Sequence, residues 1–378
     1  MEECHQRREE VPYEICGDEM MDAFEKGKEL LQGDEKQRIE GLKLIMESAG
    51  SGNLDACFLL GGIYVNGEGI ERNPEEGAKW YRSAADKGDA DSQYCLGMLY
   101  EYGDGVEQNT AEAAEWYRKA AEQNHPDAMF VLGLFYEEGI VFEKDIKKAE
   151  ELYRKSALRG NPDAEFSMGV LKQYGDDPNI CEAMEWYCRA AEKGDARAQC
   201  AIGYLYDEGI GMDRDPLKAA KWYNVAAKGG DARAQCNLGY MYDNGIGLAV
   251  NHQEAFRLYM EAANNGSDIG QYNVAEAYRT GSGIEKDDKE AAKWYRLSAD
   301  NDNVLAICNI AYCYQNGIGV NKDPSEAVKW YIRGMELGSP DCAHNLAVMY
   351  ETGDGVAVDQ KKSKEYYSKV KELENGGE

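Results

Sequence analysis

The chain has 378 residues, with 42 Lys or Arg against 70 Asp or Glu and a formal net charge of -28. Phosphates would be repelled by that acidity, so nucleic acid and anionic membrane are excluded as partners, while a basic partner is compatible with it. No apolar run approaches the length of a membrane span or resembles a leader core, and we expect a cytoplasmic protein.

In chain order, the charged opening "MEECHQRREEVPYEICGDEM" reads as a loose arm over residues 1–20. Residues 21–53, containing "ELLQGDEKQRIEGLKLIMESAG", read as a helix pair without a glycine turn. A repeat then starts at about Leu54. Its small central residue falls on Gly61, Gly97, Gly133, Gly169, Gly203, Gly239, Ala275, Ala311 and Ala347. The spacing is 36 residues throughout, except for 34 between Gly169 and Gly203. An aromatic or apolar pair follows in every copy, as at Trp80-Tyr81 and Trp222-Tyr223, and all 6 tryptophans occupy this slot. A fixed period of this kind is the signature of a solenoid.

Each unit reads as two helices. Helix A runs through segments such as "DSQYCLGMLYEYG", with Leu96, Leu99 and Tyr100 on one stripe and Gly103 and Gly105 opening the turn. Helix B carries "AEAAEWYRKAAEQ", and Pro74, Pro216 and Pro324 suit the first turn of other B helices. The third unit has Val141 in place of its second turn glycine, and the fourth has lost two residues and carries Lys172 in place of the motif Tyr. Both turns are expected to differ from their neighbours, the fourth between Tyr174 and Cys181.

Of the 11 cysteines, Cys95, Cys200, Cys236 and Cys308 sit two or three residues before the small central residue. They read as small repeat positions. With no C-x-x-C in the chain, free thiols are expected, and a metal or redox site has little support.

The pattern A-x-x-x-L-G-x-x-Y-x-x-G-x-G followed by K-A-x-x-W-Y-x-x-A-A-x-x-G resembles the Sel1-like repeat family, relatives of tetratricopeptide repeats. "AQCNLGYMYDNGIG" and "KAAKWYNVAAKGG" match it nearly throughout. The resemblance implies an all-α fold, an α-α superhelix of nine units over residues 54–378 forming one solenoid. Residues 21–53 resemble a degenerate N-terminal capping unit. It also implies a concave face that binds proteins or peptides.

At 100° per residue, the Leu, Gly and Tyr of the motif turn toward helix B, and the opposite side is left for a ligand. There, two residues before the small one, stand Asn237, Asn273, Asn309 and Asn345 in four consecutive units. Tyr272 lies three before, Tyr204, Tyr240 and Tyr312 one after, and Asp207, Asp243 and Glu351 four after. An amide both donates and accepts, so an Asn column can hold an extended peptide backbone. Related tetratricopeptide grooves use an equivalent ladder. The same residues could instead bridge the backbones of adjacent A helices. Phe58, Tyr94, Phe130 and Phe166 in the earlier units suggest packing between neighbouring A helices.

Catalysis needs convergent polar groups. The 4 histidines fall in unrelated places, and no H-E-x-x-H, Walker loop or G-x-S-x-G is present. No catalytic residue, metal site or cofactor is expected. The leading reading is a monomeric adaptor that binds a protein or extended peptide, a basic one being compatible with the charge. The alternative is a regulatory subunit or hydrolase-like, β-lactam-binding repeat protein. Cys188 and Cys200 make the nearest approach to the paired cysteines of such relatives.

Overall fold

The computed structural model describes residues 16–375, and these contain helices and turns only. They form two compact units that divide between Met168 and Gly169. The first holds α1 (Cys16–Leu31), α2 (Glu35–Gly50), α3 (Leu54–Asn66), α4 (Pro74–Ala85), α5 (Ala90–Tyr102), α6 (Thr110–Glu122), α7 (Pro126–Glu138) and α8 (Ile146–Ala157). The division falls inside α9 (Pro162–Tyr174). The second unit continues with α10 (Ile180–Glu192), α11 (Ala196–Glu208), α12 (Pro216–Lys228), α13 (Ala232–Asn244), α14 (His252–Asn264) and α15 (Asp268–Thr280). It ends with α16 (Asp288–Asp300), α17 (Val304–Asn316), α18 (Pro324–Glu336), α19 (Pro340–Thr352) and α20 (Gln360–Asn375).

Of the arm expected over residues 1–20, residues 1–15 lie outside the described residues, and Cys16 already opens α1. The capping pair expected over 21–53 corresponds to α1 and α2. A capping box starts α2: Gln37 N–H donates to Asp34 Oδ1 at 2.9 Å, and Asp34 N–H donates to Gln37 Oε1 at 2.9 Å.

From α3 onward, odd-numbered A helices alternate with even-numbered B helices. Local chemistry explains the limits of each. Asp231 caps α13 by accepting from Ala234 N–H, and Gly245 ends it at φ 67, a left-handed conformation that suits glycine. Proline stands at the first turn of α4, α12 and α18 as expected, and also at that of α7 and α19. The motif Tyr of each B helix packs its ring over the small residue of helix A. A Cβ at Gly203 would stand 2.7 Å from the Tyr223 ring, which explains the glycine there. Tyr117, Tyr153, Tyr187, Tyr223, Tyr295 and Tyr331 are fully buried in this way.

Junctions between repeats are stitched by buried glutamines, which the sequence reading missed. Gln93 Nε2 donates to Ala85 O at 3.0 Å, and Gln123 Nε2 donates to Gln93 Oε1 at 2.9 Å. Gln235 repeats the first bond to Ala227 O at 3.3 Å. The amide thus satisfies a carbonyl in the last turn of the preceding B helix, which has no partner within that helix. A Gln recurring four residues before the small central residue, at Gln93, Gln199, Gln235 and Gln271, was the available signal.

The two irregular turns behave differently. Val141 keeps the glycine conformation, with φ 64, and Asp145 N–H still closes the turn on Tyr136 O at 2.8 Å. Phe142 N–H also donates to Ile140 O at 2.7 Å, a bond across Val141 seen in no other repeat's turn among the described residues, so the turn differs locally as expected while its closure is kept. In the fourth repeat Asn179 N–H closes directly on Lys172 O at 2.7 Å, and no residue between 175 and 178 has positive φ. The irregularity expected there is present.

The expectation of free thiols is corrected at one place. Cys308 and Cys342 form a disulfide with Cα atoms 5.8 Å apart. They are separated by 34 residues, close to one repeat, so stacking of α17 and α19 makes neighbours of positions that a search for short cysteine motifs cannot pair. Cys57, Cys95, Cys181, Cys188, Cys200, Cys236 and Cys313 remain free.

Candidate functional site: the A-helix face of the second unit

All the residues expected to contact a ligand lie in the second unit, on α11, α13, α15, α17 and α19. Helix α13 packs directly against α11 and α15. Tyr204, Tyr240 and Tyr312 point outward, 39%, 56% and 52% exposed. None of these three hydroxyls donates to a described residue. Tyr272 differs: it is half-buried, and its ring centroid lies 6.0 Å from that of Tyr295. It belongs to the packing of its own repeat.

Asn237, Asn273, Asn309 and Asn345 are all half-buried. Asn309 Nδ2 donates to Glu276 Oε1 at 3.3 Å, and its amide also reaches the Tyr272 hydroxyl. Asn237 reaches the hydroxyl of Tyr223, and Asn345 that of Tyr331. Each of these contacts joins an Asn to the preceding repeat through side chains, whereas the bridging alternative had placed them on A-helix backbones.

The three acids have internal partners too. Asp207 accepts from Arg214 at 3.2 Å. Asp243 Oδ1 takes His252 Nδ1 at 2.8 Å and the Ser282 hydroxyl at 3.2 Å, while its Oδ2 accepts from Tyr259 at 3.3 Å. Glu351 accepts from the Tyr367 hydroxyl at 3.0 Å. The slot is a receiver for the phenol of the same repeat, a pairing spaced by 16 residues that the sequence displayed and our reading overlooked. Burial first, then the neighbouring carboxylate, raises the pKa of Tyr223 and Tyr259.

Asn309 and Tyr312 come together with Arg279, Lys286, Asp288 and Tyr295 around a cavity of about 310 Å³. Arg279 is held there by Glu276, 2.6 Å from its guanidinium. Cys188 and Cys200 are both free, and burial raises the pKa of each. Among the described residues no cluster of three or more His, Cys, Asp or Glu could hold a metal ion. No described helix is long and apolar enough to cross a membrane.

Paired helices at a fixed period, a shared buried Tyr and an exposed A-helix face define an all-α repeat protein, a class that generally serves as a protein-interaction scaffold. Its members related to this chain carry the Sel1 repeat, whose family model matches residues 54–89, 90–125, 126–161, 162–195, 196–231, 232–267, 269–303, 304–339 and 340–374. The chain belongs to the Sel1 repeat family. It is similar to c5321, a protective antigen with this fold from uropathogenic Escherichia coli, at 29% identity and TM-score 0.71. That match covers 93% of this chain and 76% of the other. A Sel1 repeat protein from Oxalobacter formigenes is 32% identical with TM-score 0.60, over 66% of this chain and 100% of its own. No curated protein sequence matches the chain.

Proposed function

We propose that the chain is a non-catalytic adaptor whose A-helix face in the second unit holds an extended segment of another protein. The observation that carries this reading is the recurrence of Asn237, Asn273, Asn309 and Asn345 in four consecutive A helices, with Tyr240 and Tyr312 exposed beside them. Each amide is half-buried and retains hydrogen-bonding capacity beyond the contacts described above. The exposed rings offer stacking surface, and the net charge of -28 favours a basic segment.

The test begins with affinity capture from a lysate using the intact chain, with bound proteins identified by mass spectrometry. A synthetic peptide covering the captured segment is then titrated against the native chain and against Asn237→Ala/Asn273→Ala/Asn309→Ala/Asn345→Ala. Each amide bond contributes on the order of 1 kcal/mol, so the quadruple variant is expected to lose binding by 100-fold or more, as an order-of-magnitude estimate. Unchanged affinity in a variant with native circular dichroism would overturn the assignment of this face.

A further inference from the structure

The disulfide has a companion in the packing. At every junction between repeats, one residue of helix B faces a residue eight positions later in the first turn of the next helix A. Six of the eight junctions place Ala or Ser at both positions, as at Ala226 and Ala234. The other two deviate, one by losing a methyl group and one by exchanging a methyl group for a sulfur. Ala262 faces Gly270, where a Cβ would stand 2.8 Å from that of Ala262. Gly334 faces Cys342, and a Cβ at Gly334 would collide with the Cys342 sulfur. The chain therefore gives up a methyl group on α18 where it gains a sulfur on α19. In a close-packed junction that exchange is required to keep the volume.

An internal control lies two repeats earlier. Cys236 occupies the same slot as Cys308, and each sulfur faces the serine that caps the following A helix, Ser267 at 3.9 Å and Ser339 at 3.3 Å. Cys236 stays a free thiol because Gly270 stands where α19 has Cys342. Burial holds the Cys236 thiol up at about 11.

We infer that Cys308 and Cys342, with Gly334 making room, form a reducible staple that fixes α17 against α19 and positions Asn309 and Asn345 as consecutive rungs. The inference rests on the proposed binding face for its purpose, and it concerns regulation of that face. Opening the staple needs a thiol reductant. A dithiol thiolate attacks the half-buried Cys308 sulfur and the S–S bond breaks, with the Cys342 sulfur leaving with the bonding pair and taking a proton. The second thiol of the reagent then closes on the mixed disulfide, releasing Cys308 as a thiol and the reagent as its cyclic disulfide. The staple is closed in an oxidising compartment and open in a reducing one.

The test uses the full chain and dithiothreitol, without any binding partner. Alkylation in denaturant before reduction should label Cys236 and leave Cys308 and Cys342 joined in one linked peptide. Reduction should speed amide exchange in α19 and α20 by roughly tenfold or more and leave α3 to α8 unchanged. It should also shift the side-chain amide resonances of Asn309 and Asn345 but not that of Asn237. Cys342→Ala, which restores the residue of most other junctions, should show the fast exchange from the start and ignore the reductant. Full alkylation of Cys308 and Cys342 before reduction would overturn the staple. Identical exchange and identical Asn309 and Asn345 resonances in the two redox forms would overturn the positioning role. Because no ligand enters this experiment, its failure is distinguishable from failure of the binding reading.

Discussion

The two units build the same hairpin and cover its buried tyrosine differently. In the first unit an aromatic residue lies over the ring: Phe58, Tyr94 and Phe130 sit 5.8, 5.7 and 5.6 Å from Tyr81, Tyr117 and Tyr153. These contacts fall within one repeat, so the packing expected between neighbouring A helices is corrected to packing onto helix B. In the second unit the same slot holds Cys200, Cys236 and Cys308, with aromatic Tyr272 and, 5.6 Å from Tyr367, His344 in the other two repeats. A cysteine is too small to lid the ring, and the Asn of the next repeat reaches the phenol at two of these places, Asn237 at Tyr223 and Asn345 at Tyr331, while Tyr259 bonds Asp243 of its own repeat. Where Tyr272 restores an aromatic lid, Asn309 stops at Glu276 and the Tyr272 hydroxyl. One small slot thus decides whether an aromatic ring or a smaller side chain covers the buried tyrosine.

Alkali should break both kinds of covering at once, and this is the largest effect expected. Burial is the foremost cause raising Tyr117, Tyr153, Tyr223, Tyr259, Tyr295 and Tyr331 above the ordinary 10.0, with Tyr94 pushed up to about 12. Folding keeps protons that the unfolded chain releases. The stability from these groups is fully present below pH 10 and is lost as pH rises beyond it. Circular dichroism and phenolate absorbance should therefore change together in one steep transition above pH 10. Gradual ionisation of every tyrosine with the helices intact would contradict this.

Removing the lids sharpens the contrast. Phe130→Ala uncovers Tyr153 and should cost about 2 kcal/mol, while Cys200→Ala over Tyr223 should cost about 1 kcal/mol, both from denaturant midpoints. Equal losses would mean that the aromatic lid of the first unit adds nothing. A similarly small effect, of opposite sign, belongs to the third repeat. Val141→Gly relieves a left-handed β-branched residue and should stabilise the first unit by about 1 kcal/mol.

Fold class and repeat register were legible because period, glycine turns and a shared Trp-Tyr slot repeat along one line of sequence. The candidate face was legible as a set of positions, and its bonding was not. The pairing of Asp243 with Tyr259, of Gln235 with Ala227 O and of Cys308 with Cys342 depends on which positions stacking brings together. Helical periodicity assigns a residue to a face but leaves its neighbour across the junction undetermined. Val141 forecast a different turn, and the change is confined to the bond from Phe142 N–H to Ile140 O because the hairpin still closes on Tyr136 O.

The matched volumes at the junctions constrain how such a chain can be rearranged. A repeat that presents Ala or Ser on both sides can be duplicated, deleted or exchanged with another of its kind, because each new junction reproduces the old one. The last repeat cannot move so freely: behind any helix B that carries Ala at the Gly334 position, the Cys342 sulfur would meet a methyl group. The eighth and ninth repeats are therefore inherited as a pair, and changes in repeat number are confined to the chain that precedes them.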